Sequence, residues 1–226
     1  MAGSYSVLTE RRACMRLHAL EESASARLGM PVVLARAEPD AELSLRASEY
    51  LYLAAMKQER RKRDWLLGRN ALKQVLAALS RDEDTSVISF PNRQVSLTHS
   101  CGVSLAVGAA IPANGIGIDY EPLRDINRKI ARFFLNDAEA GWLAQQAEGV
   151  GTAELLRLWT IKEAAFKCYP RNAGMLLNDF TIVNMDAAVT EVAVHGDAGR
   201  IAIACYAYDS GWLSVAAFSN EAPESS

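Results

Sequence analysis

Histidine and cysteine are scarce: 226 residues contain three of the first and four of the second. The cysteines (Cys14, Cys101, Cys168 and Cys205) stand far apart, with no C-x-x-C pair and no zinc-ligand spacing. Reduced, structural thiols in a cytoplasmic protein are the expectation. No run of about 18 apolar residues occurs, so no membrane span is expected. The opening stretch, MAGSYSVLTERRACMRLHALEES, lacks the unbroken apolar core of a secretory signal. Neither sign of charge dominates: 24 Lys and Arg against 27 Asp and Glu give −3. Without a basic field, a nucleic-acid partner is not expected.

Apolar residues, by contrast, make up half of the chain. That composition suits one large domain or two small ones sharing a core. MPVVLARA is a short apolar run led by Pro31 and reads as a first strand. Residues 47–80 are rich in helix formers and read as two helices, the second from Arg61 to Leu79. VISFPN, VSLTHS and SLAVGAA read as β segments, the last two forming a hairpin around SCG. IGIDYE follows as a strand. Helical stretches are expected over 127–134 and 137–147, and TAELLRLWTIKEAAFKCY is a strong helix ended by Pro170. FTIVN, AVTEVAV, RIAIACYAY and WLSVAAFS read as strands, and the last residues, NEAPESS, should fray. Helices followed by strands thus occur twice, with a join near residue 110.

Four stretches carry chemistry. In GIGIDYEP, alternation along a strand puts Asp119 and Glu121 on one face, with Tyr120 on the other. Two neighbouring carboxylates repel unless a cation relieves them, although a solvated strand end is the plain alternative. In RLWTIKEAAFKCY, Glu163 and Lys167 stand four apart and share a helix face, with Lys162 adjacent. A surface ion pair is the plain alternative here. Together Asp119, Glu121 and Glu163 form an oxygen-ligand set suited to Mg²⁺ or Mn²⁺, metals that keep waters and bind substrate phosphate as well. In VSLTHSCG, Thr98 and His99 lie at a strand end, a setting for a phosphate contact or for a structural histidine. In KQERRKRDWLLGRNALK, Arg63, Arg69 and Lys73 read as lying roughly along one helical side. They form either a local anion site or a solvated face.

These stretches, in this order, resemble the 4′-phosphopantetheinyl transferase superfamily, in its larger pseudo-dimeric form that activates peptide synthetases and carrier proteins. The family pattern G-[IV]-D-x-E is met by GIDYE at 117–121, and W-[ST]-x-K-E-A-x-x-K by WTIKEAAFK at 159–167. SLTHS at 96–100 and LLGR at 66–69 match two further family features. One departure precedes His99: FPNRQ stands where many relatives carry Gly-Lys-Pro, and Arg93 is a candidate replacement. The resemblance implies an α+β fold of two similar halves. The first, over 1–110, would carry the basic helix and the histidine strand; the second, over 111–226, the acids and the WTIKEAAFK helix. The active site would lie in the cleft between them.

The resemblance also implies Mg²⁺, with coenzyme A as co-substrate. The phosphopantetheine arm would pass to a serine of an apo acyl or peptidyl carrier protein. Asp119, Glu121 and Glu163 map to the metal acids. Glu163 maps to a general base and Lys167 to the pyrophosphate-binding lysine. Arg63, Arg69, Lys73, Thr98, His99 and Lys162 map to the coenzyme A side. Arg124, Arg128 and Lys129 with Ile130 and Phe133 are candidates for carrier docking. A monomer is expected. The alternatives are another Mg²⁺-dependent phosphohydrolase or a non-catalytic binding module.

Overall fold

The computed structural model describes residues 16–37, 43–147 and 150–219. The frayed tail expected at NEAPESS, and Cys14, lie outside the described residues. Among the described residues no helix is long and apolar enough to cross a membrane.

Helix α1 (Leu17–Leu28) precedes strand β1 (Val32–Arg36), helix α2 (Ala47–Ala55) and the long helix α3 (Glu59–Ala78). Strands β2 (Val95–Ser100) and β3 (Val103–Ala109) then form the hairpin expected around SCG. Its two-residue turn is Cys101 and Gly102, both at positive φ, the twist that tight hairpins require. These strands make a three-stranded antiparallel sheet in the order β1-β3-β2.

Strand β4 (Ile116–Pro122) begins a second sheet. A 3-10 helix (Arg128–Phe133), helix α4 (Asp137–Ala144) and helix α5 (Gly151–Cys168) follow. Strands β5 (Phe180–Ile182), β6 (Val189–Val194), β7 (Arg200–Tyr208) and β8 (Gly211–Ser219) complete it in the order β4-β8-β7-β6-β5. The fold is α+β, and all paired strands run antiparallel.

Three apolar clusters follow from this layering. α3 buries Ala71, Leu72, Val75 and Leu76 against the first sheet. α5 buries Leu155, Leu158, Ile161 and Ala164 against the second. Between them α1, β1 and β3 pack on Ile118 and Tyr120 of β4 and on β7 and β8. β4 also lies alongside β2, so the two sheets meet at the strand that carries the acids.

Two expectations are corrected. VISFPN is not a strand: Asp84 accepts hydrogen bonds from Ser86, and Asn92 from the Gln94 amide, so side chains turn the backbone there. Pro91, with no N–H, would also break a ladder. The helix expected over 127–134 is the tighter 3-10 form.

Candidate functional site

The approach of α5 to β4 is set by glycine. A Cβ at Gly117 would lie 2.0 Å from the Ala164 carbonyl oxygen, and one at Gly115 would lie 2.0 Å from that of Cys168. Only a bare backbone admits the helix so closely. That contact brings Lys167 down onto the strand. Its ammonium lies 2.7 Å from Asp119 Oδ1 and 3.4 Å from the Ile118 carbonyl oxygen.

Asp119 is 4% exposed. Its Oδ1 also accepts from the Thr98 hydroxyl at 3.0 Å, while Oδ2 is buried with no hydrogen-bond partner among the described residues. Glu121 Oε2 accepts from Ser100 Oγ at 3.2 Å and from the Arg124 guanidinium. Glu163 forms no hydrogen bond or ion pair among the described residues. Its carboxyl is held above the usual glutamate range: burial is the main cause, Lys167 opposes it, and the charges of Asp119 and Glu121 add to it. All three acids therefore share one electrostatic field.

They are not gathered as a ligand cluster. Among the described residues no three His, Cys, Asp or Glu side chains stand in position to hold a metal. The shell expected from the sequence is not preassembled, because Lys167 and Arg124 neutralise the strand acids instead. The donor chemistry still suits a hard divalent cation. The oxygens are carboxylate, two of the acids lie on one strand face, and the buried Asp119 Oδ2 lacks a partner. The residues fit the group.

Beside the acids lies a cleft of ≈ 630 Å³. Arg60, Arg63, Asp64 and Leu67 line one wall, a stripe at helical spacing on α3. His99 to Gly102 of the β2–β3 turn form the other, with Arg124 at the edge. Arg63 and His99, two of the candidates for the coenzyme A side, line this cleft. Arg60, Ser100 and Cys101 also line it; their signal was adjacency to those two residues.

Four further candidates for the coenzyme A side stand outside the cleft lining. Thr98 is buried, with its hydroxyl committed to Asp119 and to the Tyr120 amide, so it positions the acid. Lys162 is fully buried. Its ammonium lies 2.5 Å from Glu139 and 2.7 Å from the Phe134 carbonyl oxygen, which pins α5 to α4. Burial lowers its pKa, against the pull of Glu139. Lys73 pairs with the buried Glu49 at 2.8 Å. Arg69 lies over Trp65 at 5.1 Å, outside the residues lining the cleft. At 3.6 residues per turn, Arg69 and Lys73 share a face that lies about 240–280° around α3 from Arg63.

Residues 115–216 match the sequence profile of the 4′-phosphopantetheinyl transferase superfamily. Among curated proteins, 4′-phosphopantetheinyl transferase gsp of Aneurinibacillus migulanus is 34% identical over 76 residues. That match covers 34% of this chain and about a third (32%) of the relative's length. Among solved structures, holo-[acyl-carrier-protein] synthase of Thermotoga maritima is similar over 47% of this chain and 64% of its own, at 16% identity and a TM-score of 0.37. GIDYE at 117–121 and the whole of WTIKEAAFK at 159–167 fall inside the matched profile, so the part of the chain that carries the acids is the part that is similar to the 4′-phosphopantetheinyl transferase superfamily.

Proposed function

We propose that the chain transfers the 4′-phosphopantetheine arm of coenzyme A to a serine hydroxyl of an apo acyl or peptidyl carrier protein. Adenosine 3′,5′-bisphosphate is the second product. The observation that carries this reading is the face shared by Asp119, Glu121, Glu163 and Lys167 at the edge of a cleft lined by Arg60, Arg63, His99 and Arg124. The name of the curated relative agrees with it.

In this reading the serine oxygen attacks the β-phosphorus of coenzyme A and the bond to the α-phosphate oxygen breaks. The serine proton passes to the Glu163 carboxylate. Burial raises that carboxyl toward the range in which a base works best. The leaving bisphosphate takes the negative charge, and the ammonium of Lys167 lies where it would stabilise that charge. Arg63 and His99 hold the nucleotide phosphates. Asp119, Glu121 and Glu163 would hold Mg²⁺ or Mn²⁺. When bound, the ion supplies charge neutralisation to the diphosphate. Thr98 fixes Asp119 for that purpose.

The sheets read as two similar halves, 1–110 and 111–226. In each, the first strand lies against the last (β1 on β3, β4 on β8), and a long helix, α3 or α5, intervenes in the chain. This supports a pseudo-twofold arrangement with the site where the halves meet. Both walls come from one chain, so a monomer suffices. The 3-10 helix offers the carrier a basic rim around Phe133, which is 66% exposed beneath Arg132.

The test is intact-mass measurement after incubation with coenzyme A, Mg²⁺ and a panel of apo carriers. One added phosphopantetheine arm is expected. Asp119→Ala and Glu163→Ala should abolish it. Charge reversal at Arg128 and Lys129 should raise KM for the carrier alone. Phosphate release without a carrier would instead mark a phosphohydrolase.

A further inference from the structure

Two of the three acids, Asp119 and Glu121, are paired with the chain's own cations, and the two partners differ. Lys167 is 29% exposed and sits on the buried Asp119. Arg124 is 43% exposed and clamps Glu121 from three residues along the chain, just past the end of β4. Arg124 also borders the cleft with Arg60, Arg63 and His99. One guanidinium therefore stands between the acids and the proposed diphosphate site. Arg124 is the more exposed partner of the pair and holds Glu121 from the solvent side, so its guanidinium can leave into water at little cost. The same arginine is well suited to grip a phosphate bidentately.

We propose that Arg124 is an exchangeable placeholder: it neutralises Glu121 while the site is empty, and moves to the substrate diphosphate when a divalent cation takes Glu121. The proposal rests on the transfer reading above for the identity of the diphosphate. Its consequence is competition. Arg124 weakens the metal, and a diphosphate that draws Arg124 away strengthens it. Binding linkage makes that coupling reciprocal, so the metal must strengthen coenzyme A binding by the same factor. Ser100, which also donates to Glu121, stays in place and keeps the carboxylate aimed.

The experiment titrates Mn²⁺ into the full chain by electron paramagnetic resonance, with and without coenzyme A and with no carrier present. In wild type, coenzyme A should tighten Mn²⁺. Arg124→Gln alone should tighten Mn²⁺ about two- to fivefold, the scale of a lost exposed ion pair. It should weaken coenzyme A about tenfold, the scale of a lost charged hydrogen bond, and remove most of the coupling. Arg124→Lys should fall between. Arg200→Gln, on the far side of the second sheet, should match wild type. Unchanged or weaker Mn²⁺ binding in Arg124→Gln, with a wild-type melting curve, would overturn the exchange. Absence of Mn²⁺ binding in wild type would overturn both the exchange and the metal assignment. Failure of carrier modification with the Mn²⁺ shifts intact would overturn only the transfer reading.

Discussion

Glu163 carries a conflict between stability and the proposed chemistry. Burial is the largest cause of its raised pKa; Lys167 opposes the shift, and Asp119 and Glu121 increase it. A raised value means the folded chain prefers the neutral acid. The stability this gives is complete below the ordinary value near 4.5 and is lost as pH rises through the raised one. Glu163→Gln should therefore melt higher than wild type near neutral pH, and the difference should vanish below about pH 4.5. Carrier modification should be lost at every pH. Calorimetry across pH checks this, and a constant difference in Tm would contradict it. The shared face of Glu163 and Lys167 was legible from their spacing of four, but the ammonium goes to Asp119 rather than to Glu163. The burial of Lys162 was also legible in principle, because one residue is about 100° of helix, and a lysine beside Glu163 must face elsewhere. What no spacing announced was its partner, Glu139, 23 positions earlier in another helix.

The elements themselves were largely legible, because strands alternate and helices repeat over long stretches. The exception, VISFPN, is apolar enough for a strand but is governed by its polar neighbours Asp84 and Asn92. Less visible was why β4 and α5 can touch. The glycines of GIGID look like ordinary strand punctuation, yet Gly117 lies against the Ala164 carbonyl and Cys168, where a methyl group has no room. Gly117→Ala should push α5 away from β4 and lengthen the Lys167–Asp119 contact. Backbone atoms form the obstruction, so repacking of side chains offers no relief. A cost of about 1–3 kcal/mol is expected from overpacking, with a larger fall in carrier modification than in stability. Urea denaturation paired with the mass assay measures both. The same change at Gly141, inside a helix and with nothing for an added Cβ to meet, should spare carrier modification and raise stability by about 0.5–1 kcal/mol.

At the scale of the whole molecule, the sequence pattern separated two runs of helices and strands but could not show that they share a core. Ile118 and Tyr120 alternate with Asp119 and Glu121, so one strand serves an apolar layer on one face and the acids on the other. The partners of that apolar face are scattered along the chain, which is why no local signal revealed them. They are Leu20 and Ala24 of α1, Val32 and Leu34 of β1, and Tyr206 and Leu213 of the second sheet. Arg36 reinforces the junction, reaching Asp209 at 2.8 Å and the Tyr208 hydroxyl at 3.2 Å. Ser23 Oγ lies 3.2 Å from the Tyr206 hydroxyl. With a core in common, the two sheets should unfold together. Hydrogen exchange along a urea titration should give the amides of β2 and β6 the same midpoint. Leu20→Ala, which empties a fully buried site between the sheets, should lower both midpoints equally and cost about 2–5 kcal/mol. Two separate midpoints, or a shift confined to β2, would mean that the halves stand independently. The acids would then owe their placement to the second sheet alone.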